Sequence, residues 1–109
     1  MKSSFENVAK AVEDIKSMRV RGASVIARYA LESIQRDSRK ILETSRNKEE
    51  FLENFEAIKE SLLKTRPTAI ALPNALKFIE YRLKLKSRNK TVTKNELYDE
   101  MVSSIDDFL

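Results

Sequence analysis

No cysteine and no histidine occur among the 109 residues. Without cysteine there is neither a disulfide scaffold nor a thiol nucleophile. Without histidine the Ser-His-Asp and Cys-His arrangements are excluded, and carboxylates remain the only side-chain metal ligands. One glycine and two prolines supply too few turn residues for a many-stranded sheet. No apolar run is long enough to span a bilayer and no signal-like start precedes the helical pattern, so a soluble, cytoplasmic chain without a membrane partner is expected. What remains is a chain 41% apolar and 35% charged, a balance that suits solvated helices rather than disorder. At 12.6 kDa it has room for one domain. A chain of this length buries roughly two-thirds of the surface it exposes when unfolded, which is enough for a core.

Helical spacing runs nearly from end to end. Ser3 and Glu6 have the spacing of a capping box, and Phe5, Val8, Val12 and Ile15 follow as one buried face. Gly22 opens a second pattern, Ala23, Ile26, Ala27, Ala30, Leu31, Ile34, Ile41 and Leu42, which ends near Thr44 to Arg46. Its alanine-rich beginning would let another helix come close. Asn47 and Glu50 repeat the capping logic ahead of Phe51, Phe55, Ile58 and Leu62, and Arg66-Pro67 closes that helix. The fourth helix falls within Thr68 to Leu85, with Leu72, Ala75, Leu76, Ile79 and Leu83 on one side. Either Thr68 caps it and Pro73 kinks its second turn, or Pro73 is its first residue. After a polar basic loop, Lys86 to Val92, a third capping box, Thr93 with Glu96, starts Leu97, Met101, Ile105 and Phe108. The expectation is an all-α, single five-helix bundle-like domain over residues 1–109. Its last stripe is still apolar at the final residues, which suggests a chain that continues.

Charge is uneven along the sequence. The net charge is +4. Between Lys77 and Lys94 seven bases accompany one acid, Glu80, and from Glu96 onward there are five acids and no base. Such polarity can steer anions toward one face. Lys84, Lys86, Arg88 and Lys90 could serve a nucleic acid, but no recognition-helix signature flanks them, so no nucleic-acid partner is expected. The adjacent carboxylates Glu13-Asp14, Glu49-Glu50, Asp99-Glu100 and Asp106-Asp107 face two directions on a helix and read as solvated surface. Tyr29, Tyr81 and Tyr98 read as core edges.

Two places break the helical monotony, and each pairs an arginine with a backbone irregularity. In Arg21-Gly22-Ala23-Ser24, a glycine at a helix start admits a ligand to free N–H groups, and Arg21 adds a forked donor matched to phosphate. In Thr65-Arg66-Pro67-Thr68, a proline corner fixes the backbone of Arg66. Neither place holds a group suited to proton transfer at neutral pH, so no catalytic residue is expected in this chain.

Together the two motifs carry a resemblance. Ile15-Lys16-Ser17-Met18-Arg19-Val20-Arg21-Gly22-Ala23, followed by Thr65-Arg66-Pro67-Thr68-Ala69-Ile70-Ala71-Leu72-Pro73-Asn74-Ala75-Leu76, resembles a superfamily of aldose-phosphate isomerases. That superfamily also includes the alpha, beta and delta subunits of translation initiation factor 2B. The wording is most similar to the archaeal ribose-1,5-bisphosphate isomerase branch, since methylthioribose-1-phosphate isomerases follow this RGA with proline where this chain has Ser24. The resemblance covers the family's N-terminal helical domain and implies a Rossmann-like α/β domain after it, which carries the catalytic Cys and Asp. It implies that Arg21, Gly22, Ala23 and Ser24 line a phosphosugar, ribose bisphosphate, and that Arg66 clamps a phosphate. No metal and no cofactor are implied, and the full-length protein would be a homo-oligomeric aldose–ketose isomerase of which this chain alone is not catalytic. The alternative is a helical protein-binding domain of an initiation factor 2B-type subunit that contacts initiation factor 2.

Overall fold

The computed structural model describes residues 5–65 and 71–109. Five helices follow in chain order: α1 (Glu6–Lys16), α2 (Ala23–Thr44), α3 (Lys48–Leu63), α4 (Ala71–Ser87) and α5 (Lys94–Phe108). Among the described residues there is no strand, so the all-α expectation holds. The 22 residues of α2 extend about 33 Å at 1.5 Å per residue. This helix is the spine, touching each of the other four, while α4 and α5 pack on one another. Its stripe of Ile26, Ala27, Ala30, Leu31, Ile34, Ile41 and Leu42 is buried in one core with Phe51, Phe55 and Leu62 of α3, Leu76 and Ile79 of α4, and Leu97 and Met101 of α5. Ala23, which the spacing placed on that face, is exposed.

The helix ends are held in two ways. Local caps act where the spacing predicts them: Asn47 accepts from the Glu50 N–H at 2.9 Å. Thr93 and Glu96 form the reciprocal box, with Glu96 Oε1 accepting from the Thr93 N–H at 2.9 Å. Long-range caps do the rest. The helix α1 starts at Glu6 with Phe5 in the capping position and no side-chain cap bond from it. Ser3, proposed for that role, lies outside the described residues. The buried carboxylate of Asp37 in α2 accepts instead from the Val8 N–H and from Asn7 Nδ2, both at 2.8 Å. At the other end of α2, Lys94 Nζ donates to the carbonyls of Ser45 at 2.6 Å and Leu42 at 3.3 Å, where a cation meets the negative end of the helix dipole.

Two further expectations need correction. Pro73 is not the first residue of α4, which is described from Ala71. Thr68, the alternative cap, lies outside the described residues. In α5, Leu97, Met101 and Ile105 are buried as the stripe required, but Phe108 is 43% exposed and packs on Phe78 with ring centroids 6.1 Å apart.

Candidate functional site

The segment between α1 and α2 is short and tightly specified. Met18 takes a left-handed turn at φ 66°, which reverses the chain just past the last turn of α1. The Ser17 and Met18 N–H groups donate to the carbonyls of Glu13 and Ile15, and Asp14 holds the rest of the reversal. The backbone carbonyl of Asp14 accepts the N–H of Arg19 at 2.9 Å and that of Val20 at 3.3 Å, and the Ser17 hydroxyl at 3.3 Å. The Asp14 carboxylate accepts the Tyr29 hydroxyl at 2.5 Å and lies 3.5 Å from the Arg19 guanidinium and 3.4 Å from Lys10 Nζ. The Tyr29 hydrogen bond, with Lys10 and Arg19 behind it, holds the Asp14 carboxyl below its usual range against the opposing effect of burial. The same hydrogen bond, with desolvation and the carboxylate charge, raises the Tyr29 phenol above its ordinary value.

Beyond this anchor come Arg21 and Gly22. Gly22 sits at φ 93° and ψ 130° as the residue before α2, a backbone state open almost only to glycine. Space is not the reason, since an added Cβ would meet nothing nearer than 3.9 Å. The consequence is a long helix with no side-chain cap and no acid in its first turn, so the N–H groups of Ala23, Ser24 and Val25 face outward with partial positive charge. Arg21 is exposed and makes no hydrogen bond or ion pair among the described residues.

Next to this turn lies a hollow of about 310 Å³ lined by Ser24, Ala27 and Arg28 of α2, Ala71 of α4, and Phe108 and Leu109. Three of the four residues proposed from the first motif thus form one continuous turn, Gly22-Ala23-Ser24, with Arg21 directly before it, and Ser24 reaches the hollow. Arg66 lies outside the described residues. Arg28 was not anticipated: it is exposed, without a hydrogen-bond or ion-pair partner among the described residues, and borders the same hollow. Its signal was present, because Ser24 and Arg28 are four apart and share a helix face. Asp14 was read as solvated surface and is only 6% exposed. Nothing in the sequence pairs it with Tyr29, fifteen positions on.

Other charges serve the fold. Glu100 and Asp107 hold Arg82 at 2.8 and 3.0 Å, and Glu50 holds Arg46 at 2.8 Å, so these acids too are more than solvated surface. Lys59 bridges α3 to Glu80 of α4 at 2.7 Å. Tyr29 and Tyr98 edge the core as expected, whereas Tyr81 is 64% exposed. Among the described residues no three carboxylates gather closely enough to hold a metal ion, and no helix is long and apolar enough to cross a membrane.

Residues 19–109 match the initiation factor 2 subunit family. The ribose 1,5-bisphosphate isomerase of Archaeoglobus fulgidus is 42% identical over 75 residues, covering 69% of this chain and 22% of that protein. The enzyme of the same name from Thermococcus kodakarensis is 39% identical over 80 residues, covering 73% of this chain and 24% of that one. The methylthioribose-1-phosphate isomerase of Fervidobacterium nodosum is 42% identical over 69 residues, covering 63% of this chain and 20% of that one. The chain spans between 20% and 24% of the length of these three relatives.

Proposed function

This chain belongs to the initiation factor 2 subunit family, and from that premise we propose that it is the N-terminal, sugar-phosphate-gripping helical domain of a cytoplasmic, homo-oligomeric aldose–ketose isomerase acting on ribose 1,5-bisphosphate. The observation that carries the reading is the exposed, unpaired Arg21 set against the uncapped first turn of α2. A guanidinium and a row of outward N–H groups make a cradle for a phosphate. Arg28 and Ser24 extend donors into the adjoining hollow, and Arg66 is proposed as the second clamp that a bisphosphate needs. The relatives named above are phosphosugar isomerases, which fits an anion cradle better than a bare protein-binding surface.

The work assigned to these residues is binding, orientation and exclusion of water. Proton transfer is assigned to groups outside the two motifs, neither of which holds a side chain suited to it at neutral pH. The test is kinetic. In the full-length protein Arg21→Ala should lower kcat/KM for ribose 1,5-bisphosphate at least about tenfold, or about 1.4 kcal/mol. Unchanged kinetics for both Arg21→Ala and Arg66→Ala would remove the role.

A second reading, a protein-binding domain of an initiation factor 2B-type subunit, draws on one feature: Phe78, Tyr81 and Leu85 stand exposed along α4. Capture of initiation factor 2 by the full-length protein, together with no isomerase turnover, would favour it.

A further inference from the structure

Lys10 in α1, Arg19 and Arg21 in the link and Arg28 in α2 do not share one fate. Lys10 and Arg19 are drawn to the Asp14 carboxylate, at 3.4 and 3.5 Å. Arg21 and Arg28 have no such partner among the described residues. The carboxylate that divides them is nearly buried, and it is locked from the far side by the Tyr29 hydroxyl at 2.5 Å. Tyr29 lies in the second turn of α2 and Asp14 in the last full turn of α1. Their hydrogen bond therefore ties together the two helix ends between which Arg21 is strung. The Asp14 backbone completes the clamp by taking the N–H groups of Arg19 and Val20, the two residues before Arg21.

We propose that Tyr29 and Asp14 are positioning residues, whose hydrogen bond holds the loop of residues 17–22 in the one shape that aims Arg21 and the open end of α2 at the same phosphate. The inference rests on the phosphosugar reading above and adds to it a pair that never touches substrate. The six-residue link takes a left-handed turn at Met18 and a φ of 93° at Gly22, a shape that needs outside support to be chosen over others. Leaving that choice open would lower the population of the binding-competent form and weaken affinity in proportion. Removing the lock should therefore act on substrate binding rather than on the chemical step. By the same logic it should act only while Arg21 is present to be misplaced.

The experiment is a double-mutant cycle in the full-length protein with ribose 1,5-bisphosphate as substrate. Tyr29→Phe removes one hydroxyl and leaves the ring in the core edge, so folding is retained; Asp14→Asn is the companion variant. Tyr29→Phe should raise KM about threefold or more with kcat changed less than about twofold, and in an Arg21→Ala background its effect should fall below about twofold. Hydrogen exchange at the Arg19 and Val20 amides should quicken in Tyr29→Phe while the core amides of α4 and α5 keep their protection. If Arg21→Ala costs about tenfold but Tyr29→Phe changes nothing, or changes KM equally in both backgrounds, the positioning role is overturned and the phosphosugar reading stands. If Arg21→Ala and Arg66→Ala are both silent, that reading falls and this inference falls with it.

Discussion

At the scale of single residues, the Asp14–Tyr29 pair makes stability depend on pH at both ends of the range. The Asp14 carboxyl is held low, chiefly by the Tyr29 hydrogen bond, so the folded state favours its ionised form. That contribution is complete above the ordinary aspartate value, near 3.9, and is lost as pH falls through the depressed folded one. The Tyr29 phenol is held high by the same bond, so the folded state favours its protonated form. That contribution is complete below the ordinary phenol value, near 10, and disappears as pH rises beyond it. The expected outcome is a thermal-midpoint difference between wild type and Tyr29→Phe that is widest from about pH 5 to about pH 9 and narrows on both sides. Parallel midpoint curves across the whole range would show that the pair carries no linked proton. Arg46, Glu50, Lys59, Glu80 and Arg82 are shifted too, but both proteins carry them, so their contributions cancel in the difference.

Among the elements, α1 depends most on a residue outside itself. With Phe5 offering no side-chain cap, the Val8 N–H is satisfied by a carboxylate 29 positions away in α2. Asp37→Ala should therefore cost about 1.5–3 kcal/mol, the range for hydrogen bonds to a charged group whose partner is left buried. Exchange protection should be lost first in α1 and only later in α4 and α5, and uniform loss across all five helices would show that α1 does not open separately. This same residue explains where sequence reading stops. Asn47 with Glu50 and Thr93 with Glu96 were legible because cap and partner are three apart, and the hydrogen-bond geometry is then local. Asp37 with Val8, Lys94 with Leu42 and Ser45, and Asp14 with Tyr29 are not local. Their partners are chosen by packing, and no spacing rule along one helix reveals them. The apolar stripes of α2, α3 and α4 were legible for the opposite reason, since burial repeats with the helix period. Phe108 broke its stripe because it packs on Phe78, itself partly exposed on α4, rather than on the core.

For the whole molecule, the charge polarity visible in the sequence is largely consumed inside the fold. Of the basic run, Arg82 is held by Glu100 and Asp107, Lys84 lies 3.7 Å from Glu80, Lys86 lies 3.8 Å from Glu100, and Lys94 is spent on carbonyls. Lys77, Arg88 and Lys90 remain without an ion pair among the described residues. Arg21 and Arg28, equally without an ion pair among the described residues, stand beside the α2 turn, where the outward N–H groups of its first turn add to them. That half of the candidate site was legible through the motif around Gly22; the hollow beside it was not, because it is assembled from α2, α4 and the end of α5. One wall of donors grips weakly, however. With the hollow open to solvent and few cations around it, the isolated 109-residue chain should bind ribose 1,5-bisphosphate no tighter than about millimolar, or about 4 kcal/mol. Titration followed by amide shifts should move Ala23, Ser24 and Val25 first, with Arg21→Ala abolishing the response and added salt weakening it. Micromolar binding would show that the chain holds a complete site by itself. Shifts centred on Arg88 and Lys90 instead would move the anion to the α4–α5 loop and empty the cradle at Gly22 of its assigned role.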